Sequence, residues 1–126
     1  MASRPIQFKN LYRILSSPRI KDVYVTLERR RGAFIHNYGE IPAYINQADG
    51  DPWDIIIPGY PRMDVDRPIR LKKLVGVYTL PNGNHKLIVD VYSSIKRDSE
   101  KFDRDIKTFK RKYEKHTKLT GSIIYF

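Results

Sequence analysis

The pair Asn82-Gly83 sits between two apolar runs, Ile69 to Leu80 and His85 to Tyr92, and no other feature of the chain restricts its fold so tightly. Asn-Gly accepts positive φ at low cost, as a tight β-hairpin turn demands, so the two runs are expected to pair as antiparallel neighbours. Other strand signals surround this hairpin. Val23, Val25 and Leu27 alternate with Tyr24, Thr26 and Glu28, the period of a strand with one buried face. Trp53 to Ile57 is an apolar run closed in by Pro52 and Pro58, which fits a buried strand better than a helix. Gly121 precedes Ser122 to Phe126, an expected terminal strand.

Two segments carry the helical period instead. Phe8, Leu11, Tyr12 and Leu15 predict a short helix over residues 6–16 that Ser16-Ser17-Pro18 ends. Phe102, Ile106, Phe109 and Tyr113 make one stripe of a second helix over 98–116, with Asp98 or Ser99 placed to cap its start. The expected fold class is mainly β (α+β), as one domain over residues 1–126, since no repeat or long linker divides the chain. No apolar run approaches the roughly 20 residues of a membrane span, and Met1-Ala2-Ser3-Arg4-Pro5 has no apolar signal segment behind it. The expectation is therefore a soluble, intracellular, cytoplasmic protein with no membrane partner. Without cysteine there is no disulfide or thiolate site, so a metal would sit on oxygen or imidazole ligands.

A formal charge of +10 implies attraction to polyanions. The basic residues gather at Arg29-Arg30-Arg31, at Arg70, Lys72 and Lys73, and from Lys96 to Lys118, where ten basic and five acidic residues supply half the net charge. A solvated helix face accounts for that last segment without any ligand. Tyr60, Tyr78 and Tyr92 lie near basic residues and offer a base-stacking surface, although tyrosines in a small β domain more often pack strands.

The chemically loaded segment is Asp49-Gly50-Asp51-Pro52-Trp53-Asp54. Three carboxylates this close favour a divalent cation or a dense basic neighbourhood, while Asp-Gly and Asp-Pro also make an ordinary exposed turn. An EF-hand loop is ruled out: its glycine comes too early, a proline interrupts the ligands, and Tyr60 stands where the twelfth-position glutamate belongs.

Tyr38-Gly39, then this acidic segment and Ile55-Ile56-Ile57, resembles the signature of soluble inorganic pyrophosphatases. Pro58-Gly59-Tyr60-Pro61, Ile69-Arg70, Val75-Gly76-Val77 and Lys86-Leu87-Ile88-Val89 follow in an order similar to that family's, and the likeness covers roughly residues 22–125. The resemblance implies a small closed β-barrel with flanking helices, and hydrolysis of pyrophosphate with Mg2+, or Mn2+, held among carboxylates. It implies Asp49 and Asp54 as metal ligands and Asp51 as the carboxylate that helps activate the attacking water. Arg29, Tyr38, Lys86 and Tyr113 match phosphate-binding positions.

The departures are as specific as the likeness. Leu80 to Lys86, where the family's hairpin carries two further aspartates, contains none, and no acidic residue precedes Asp22. Glu114 follows Tyr113 where a lysine is usual. His85 and Asn84 do not replace the missing acids: a hairpin histidine is more often solvated, and imidazole suits magnesium poorly. The expected function is thus pyrophosphatase-like, with hydrolysis weakened or lost. The alternative is an inactive basic component of a larger assembly, one with room for nucleic acid or for further copies of the chain.

Overall fold

The computed structural model describes residues 3–29, 34–64, 66–92 and 97–126. Arg30, Arg31 and Lys96, parts of the basic runs, lie outside these. The strands are β1 (Arg4–Pro5), β2 (Tyr24–Glu28), β3 (Tyr38–Asn46), β4 (Asp51–Ile56), β5 (Ile69–Arg70), β6 (Lys73–Thr79), β7 (Lys86–Asp90) and β8 (Ser122–Tyr125), with helices α1 (Phe8–Leu15) and α2 (Ser99–Thr117). A 3-10 turn, Pro18–Asp22, follows α1. Together they make a mixed α+β domain with one large sheet, ordered β5-β2-β3-β4-β7-β6-β8, with β1 parallel to β3.

The hairpin forms as expected, with Tyr78 opposite Lys86 and Lys73 opposite Asp90. Its turn differs from a two-residue Asn-Gly turn. Gly83 donates its N–H to the Leu80 carbonyl at 3.0 Å, and Gly83 has φ of +79° while Asn82 stays at negative φ. Pro81 thus leads a four-residue turn, and Gly83 then takes the left-handed conformation, the longer of the common hairpin loops.

Strand pairing alone leaves the sheet open, with β5 and β8 at its edges. The run expected as one strand from Ile69 to Leu80 is broken at Leu71-Lys72, and the break is informative. Leu71 donates its N–H to Val23 at 2.9 Å, on the β2 side, whereas Lys72 donates to Asp90 at 3.0 Å, on the β7 side. A single bent segment therefore serves strands that are far apart in the sheet order.

The strand β3 carries no clean alternation in the sequence. Its pairing with β4 is interrupted by an irregularity between Ile41 and Ile45, where Pro42 cannot donate to a ladder. Beyond it Pro52 sits opposite Ile45, so β4 begins at Asp51 rather than at Trp53.

Each face of the sheet buries its own cluster. On one, Val25, Leu27, Ile41, Trp53, Ile55, Val77, Leu87 and Val89 meet Leu11, Ile14 and Leu15 of α1. On the other, Tyr38, Ile56, Val75, Tyr78 and Ile88 meet Phe102, Ile106 and Phe109 of α2. The α2 stripe is as its spacing predicts, and Asp98 accepts the Lys101 N–H at its N-terminus. Among the described residues no helix is long and apolar enough to cross a membrane.

Candidate functional site

Strand register dictates the site. Glu40 on β3 stands opposite Asp54 on β4, and Tyr78 on β6 stands opposite Lys86 on β7. Because Ile55 pairs with Leu87 and Ile56 with Ile88 in the parallel β4/β7 ladder, Asp54 and Lys86 are neighbours one residue earlier. A polar row, Glu40, Asp54, Lys86, Tyr78, thus crosses four adjacent strands. One row along, Tyr38, Ile56 and Ile88 are apolar or aromatic and lie under α2. The sheet's period of two puts both rows on the same face.

The centre of the polar row is an ion pair. The Lys86 Nζ donates to Asp54 Oδ2 at 2.6 Å, with side-chain exposures of only 3% and 11%. Both charges leave water here, so each depends on the other. The Tyr113 ring of α2 lies 5.4 Å from the Lys86 ammonium, a cation–π contact over the pair. Burial pushes the Tyr113 phenol up, and the carboxylates of Asp54 and Asp49 add to the shift. Three of the residues that the family likeness assigns to a site, Asp54, Lys86 and Tyr113, therefore converge from distant parts of the chain.

The others do so less. Asp49, in the β3–β4 turn, and Asp51, at the start of β4, are both exposed; Asp49 Oδ1 accepts the Asp51 N–H at 2.9 Å and Gly50 supplies φ of +76°. That segment is the ordinary Asp turn as well as the acidic motif. Tyr38 is buried against Phe109, with ring centroids 6.4 Å apart, and has no open face for a phosphate. Arg29 spends its guanidinium on the carbonyls of His36 and Met63. For Tyr38 and Arg29 a phosphate contact would require displacing these partners.

Asp90 does not complete the cluster. It accepts the Tyr60 hydroxyl at 2.7 Å and the Tyr92 N–H at 3.1 Å, four residues and about 13 Å along β7 from Lys86. Among the described residues no group of three or more His, Cys, Asp or Glu side chains is placed to hold a metal ion. With Asp54 taken by an ammonium and Asp49 and Asp51 at the rim, this donor set does not fit a multi-ion magnesium or manganese centre as it stands.

Two expectations need correcting. His85 is not a solvated hairpin residue: its Nδ1 accepts the Leu80 N–H at 2.8 Å, and its ring packs near Trp53 and Phe8. Burial, with the charge of Lys86, pushes its pKa below the usual 6.5. The base-stacking surface also fails in part, since Tyr60 and Tyr78 are buried and only Tyr92 is exposed.

Glu40 is the residue that sequence reasoning missed. Its only signal was the period of two from Tyr38, which puts it on the site face; its place beside Asp54 follows from register alone.

Glu114 ties α2 to β6 and to the segment before β8. It accepts from the Tyr78 hydroxyl at 2.8 Å, the Gly121 N–H at 2.9 Å and the Lys110 ammonium at 2.8 Å. Burial alone would raise its pKa, but the Gly121, Lys110 and Tyr78 donors together bring it below the ordinary 4.5. A carboxylate with a lowered folded pKa contributes stability above its unfolded pKa and loses it as pH falls through the folded value. Acid titration followed by circular dichroism is thus expected to show a loss of stability below about pH 4.5 that Glu114→Gln removes. An unchanged acid limb in E114Q would show that this clamp does not couple to folding.

Neither the known protein-family models nor the curated proteins give a match to this chain.

Proposed function

We propose that this chain is an inorganic-pyrophosphatase-like protein in which metal-dependent hydrolysis of pyrophosphate is weakened or lost. The convergence of Asp54, Lys86 and Tyr113 carries the reading: three positions distant in the chain, each matched by the resemblance to a site role, meet at one place. The passage of Leu71-Lys72 from the β2 side to the β7 side supports the small closed β-barrel that goes with it. In this reading Asp49 and Asp54 are the metal-facing carboxylates, Asp51 the base for water, and Lys86 and Tyr113 the phosphate contacts. Magnesium or manganese supplies charge neutralisation of the phosphate oxygens when bound.

The weakening has a physical cause in the same pair. A cation bound at Asp54 competes with an ammonium already 2.6 Å away, and with the hairpin acids missing the described residues gather no group of three or more metal-ligating side chains around it. Lys86 released from Asp54 would itself be free to meet a phosphate oxygen.

The test is phosphate release from pyrophosphate with magnesium or manganese, beside Asp51→Asn. Turnover well below the roughly 1–10³ s⁻¹ usual for enzymes, and abolished by D51N, is expected. Turnover inside that range would overturn the weakening. Absence of both release and saturable pyrophosphate binding would overturn the phosphate chemistry altogether.

A second reading, an inactive basic component of a larger assembly, is favoured by the same ion pair. Lys86 satisfies Asp54 without any metal, and α2 presents Lys107, Arg111, Lys112 and Lys115 to solvent. Binding of a polyanion that falls steeply with salt, in a protein with no turnover, would select it.

A further inference from the structure

We propose that Arg4, Arg13 and Arg19 form a separate binding site for closely spaced phosphate groups. They come from β1, α1 and the 3-10 turn, and line one groove of about 620 Å³ together with Gln7, Asn10 and Gln47. All six side chains are exposed, and no carboxylate lines the groove. Among the described residues no acid lies within ion-pair distance of these three guanidiniums.

That distinguishes the groove from the other basic surfaces. On α2 Lys101 is paired with Asp105, Arg104 with Glu100 and Lys110 with Glu114, while Lys107, Arg111, Lys112 and Lys115 are spread along exposed positions of the helix. Arg70 donates to the Tyr24 hydroxyl, and Arg29 to backbone carbonyls. The groove brings three guanidiniums to one concave surface, and among the described residues no acid lies within ion-pair distance of them. Such convergence raises the local potential, and an oligoanion relieves it while taking bidentate hydrogen bonds from the planar forks.

The lining also indicates what is recognised. Gln7, Asn10 and Gln47 add amide donors suited to phosphate oxygens. No aromatic ring lines the groove, and the nearby Tyr44 ring lies against Arg4 at 5.6 Å, so no platform stacks a base. The volume exceeds what one phosphate fills, which points to linked phosphates, from a polyphosphate or from a polynucleotide backbone. The groove shares no residue with the Asp54–Lys86 row and does not depend on its chemistry.

Inorganic tripolyphosphate and a short oligothymidylate, titrated separately into the full chain at two salt concentrations, test this. At least one probe is expected to saturate, and the variant R4Q/R13Q/R19Q to weaken it roughly a hundredfold. With the oligonucleotide the salt slope should also fall by about 2, as three phosphate contacts are lost. The control K107Q/R111Q/K115Q on α2 removes the same charge and should change affinity only a few-fold. Tripolyphosphate binding supports the site with a small polyphosphate as its ligand; binding of the oligonucleotide alone supports it with the nucleic-acid backbone.

Failure of both probes to saturate would overturn the site, and so would equal weakening by the two triple variants. Thermal unfolding checks the fold of each variant. Should the groove triple fail to fold, the single variant Arg13→Gln, with an expected loss of roughly fivefold, decides in the same way. Phosphate release from pyrophosphate, unchanged in the groove variants, reports on the Asp54–Lys86 row separately.

Discussion

Replacing Lys86 by methionine is expected to cost about 3 kcal/mol of stability, lowering the thermal midpoint by roughly 10 °C. Methionine keeps the stem and its packing but takes away the ammonium 2.6 Å from Asp54. The carboxylate is then left under the Tyr113 ring with little access to water, and a buried charge without its partner is among the most costly single defects. Removing both charges should behave differently. Asp54→Leu with Lys86→Met is expected to recover most of the loss, because well-packed apolar groups avoid the desolvation of both ions. Urea unfolding of the two variants measures this directly. A cost below about 1 kcal/mol for K86M would mean that water reaches Asp54 unaided and that the pair does not close the site.

The variant Gly39→Ala is expected to cost at least about 3 kcal/mol, the upper end of what overpacking produces. A methyl group there would stand 2.1 Å from the Thr26 carbonyl oxygen and 2.9 Å from its carbon, and both are backbone atoms. No rotamer change relieves that contact. Gly39 pairs with Leu27 on one side and Ile55 on the other, so β3 cannot shift from β2 without straining its ladder with β4. Gly76→Ala is the informative comparison. Its methyl would meet the Ile124 carbonyl oxygen at 2.6 Å, but β8 is an edge strand and can move outward. The expected order of urea midpoints is wild type, then G76A, then G39A. A G39A protein within about 1 kcal/mol of wild type would show that the strands approach less closely.

Elements with a strong local signal were legible from the residues. The hairpin around Gly83, the apolar stripe of α2 with its Asp98 cap and the buried β4 run each needed only neighbours within a few positions. The strand β3 was not, because Pro42 and the irregular pairing before Ile45 interrupt the alternation a reader depends on. The break at Leu71-Lys72 was hidden for another reason: the apolar period runs through it, and only partners at Val23 and Asp90 reveal that the segment changes neighbours.

The site shows the same division. Asp49, Asp51 and Asp54 were visible as a cluster of charge, but which of them is buried depends on where the turn ends and the strand begins. That Lys86 would neutralise Asp54, and that Glu40 would stand beside it, follows from the register of three strands, which no single segment encodes.

The bent β5–β6 segment has a kinetic consequence. The β2–β3, β3–β4 and β6–β7 pairs connect residues close in the chain, and they can form early. The remaining pairings join distant positions: Tyr24 with Arg70, Ile55 with Leu87, Gly76 with Tyr125, and Arg4 with Tyr44. Loop closure must precede each of these, which places folding in the milliseconds-to-seconds range of non-local β topologies. Leu71-Lys72 can settle only when β2 and β7 are both in place, so the two halves of the sheet are committed together. An intermediate holding only the local β2–β3–β4 and β6–β7 pairs would still expose the unpaired flanks of β2 and β6, and association between such molecules is the hazard this connectivity carries during refolding.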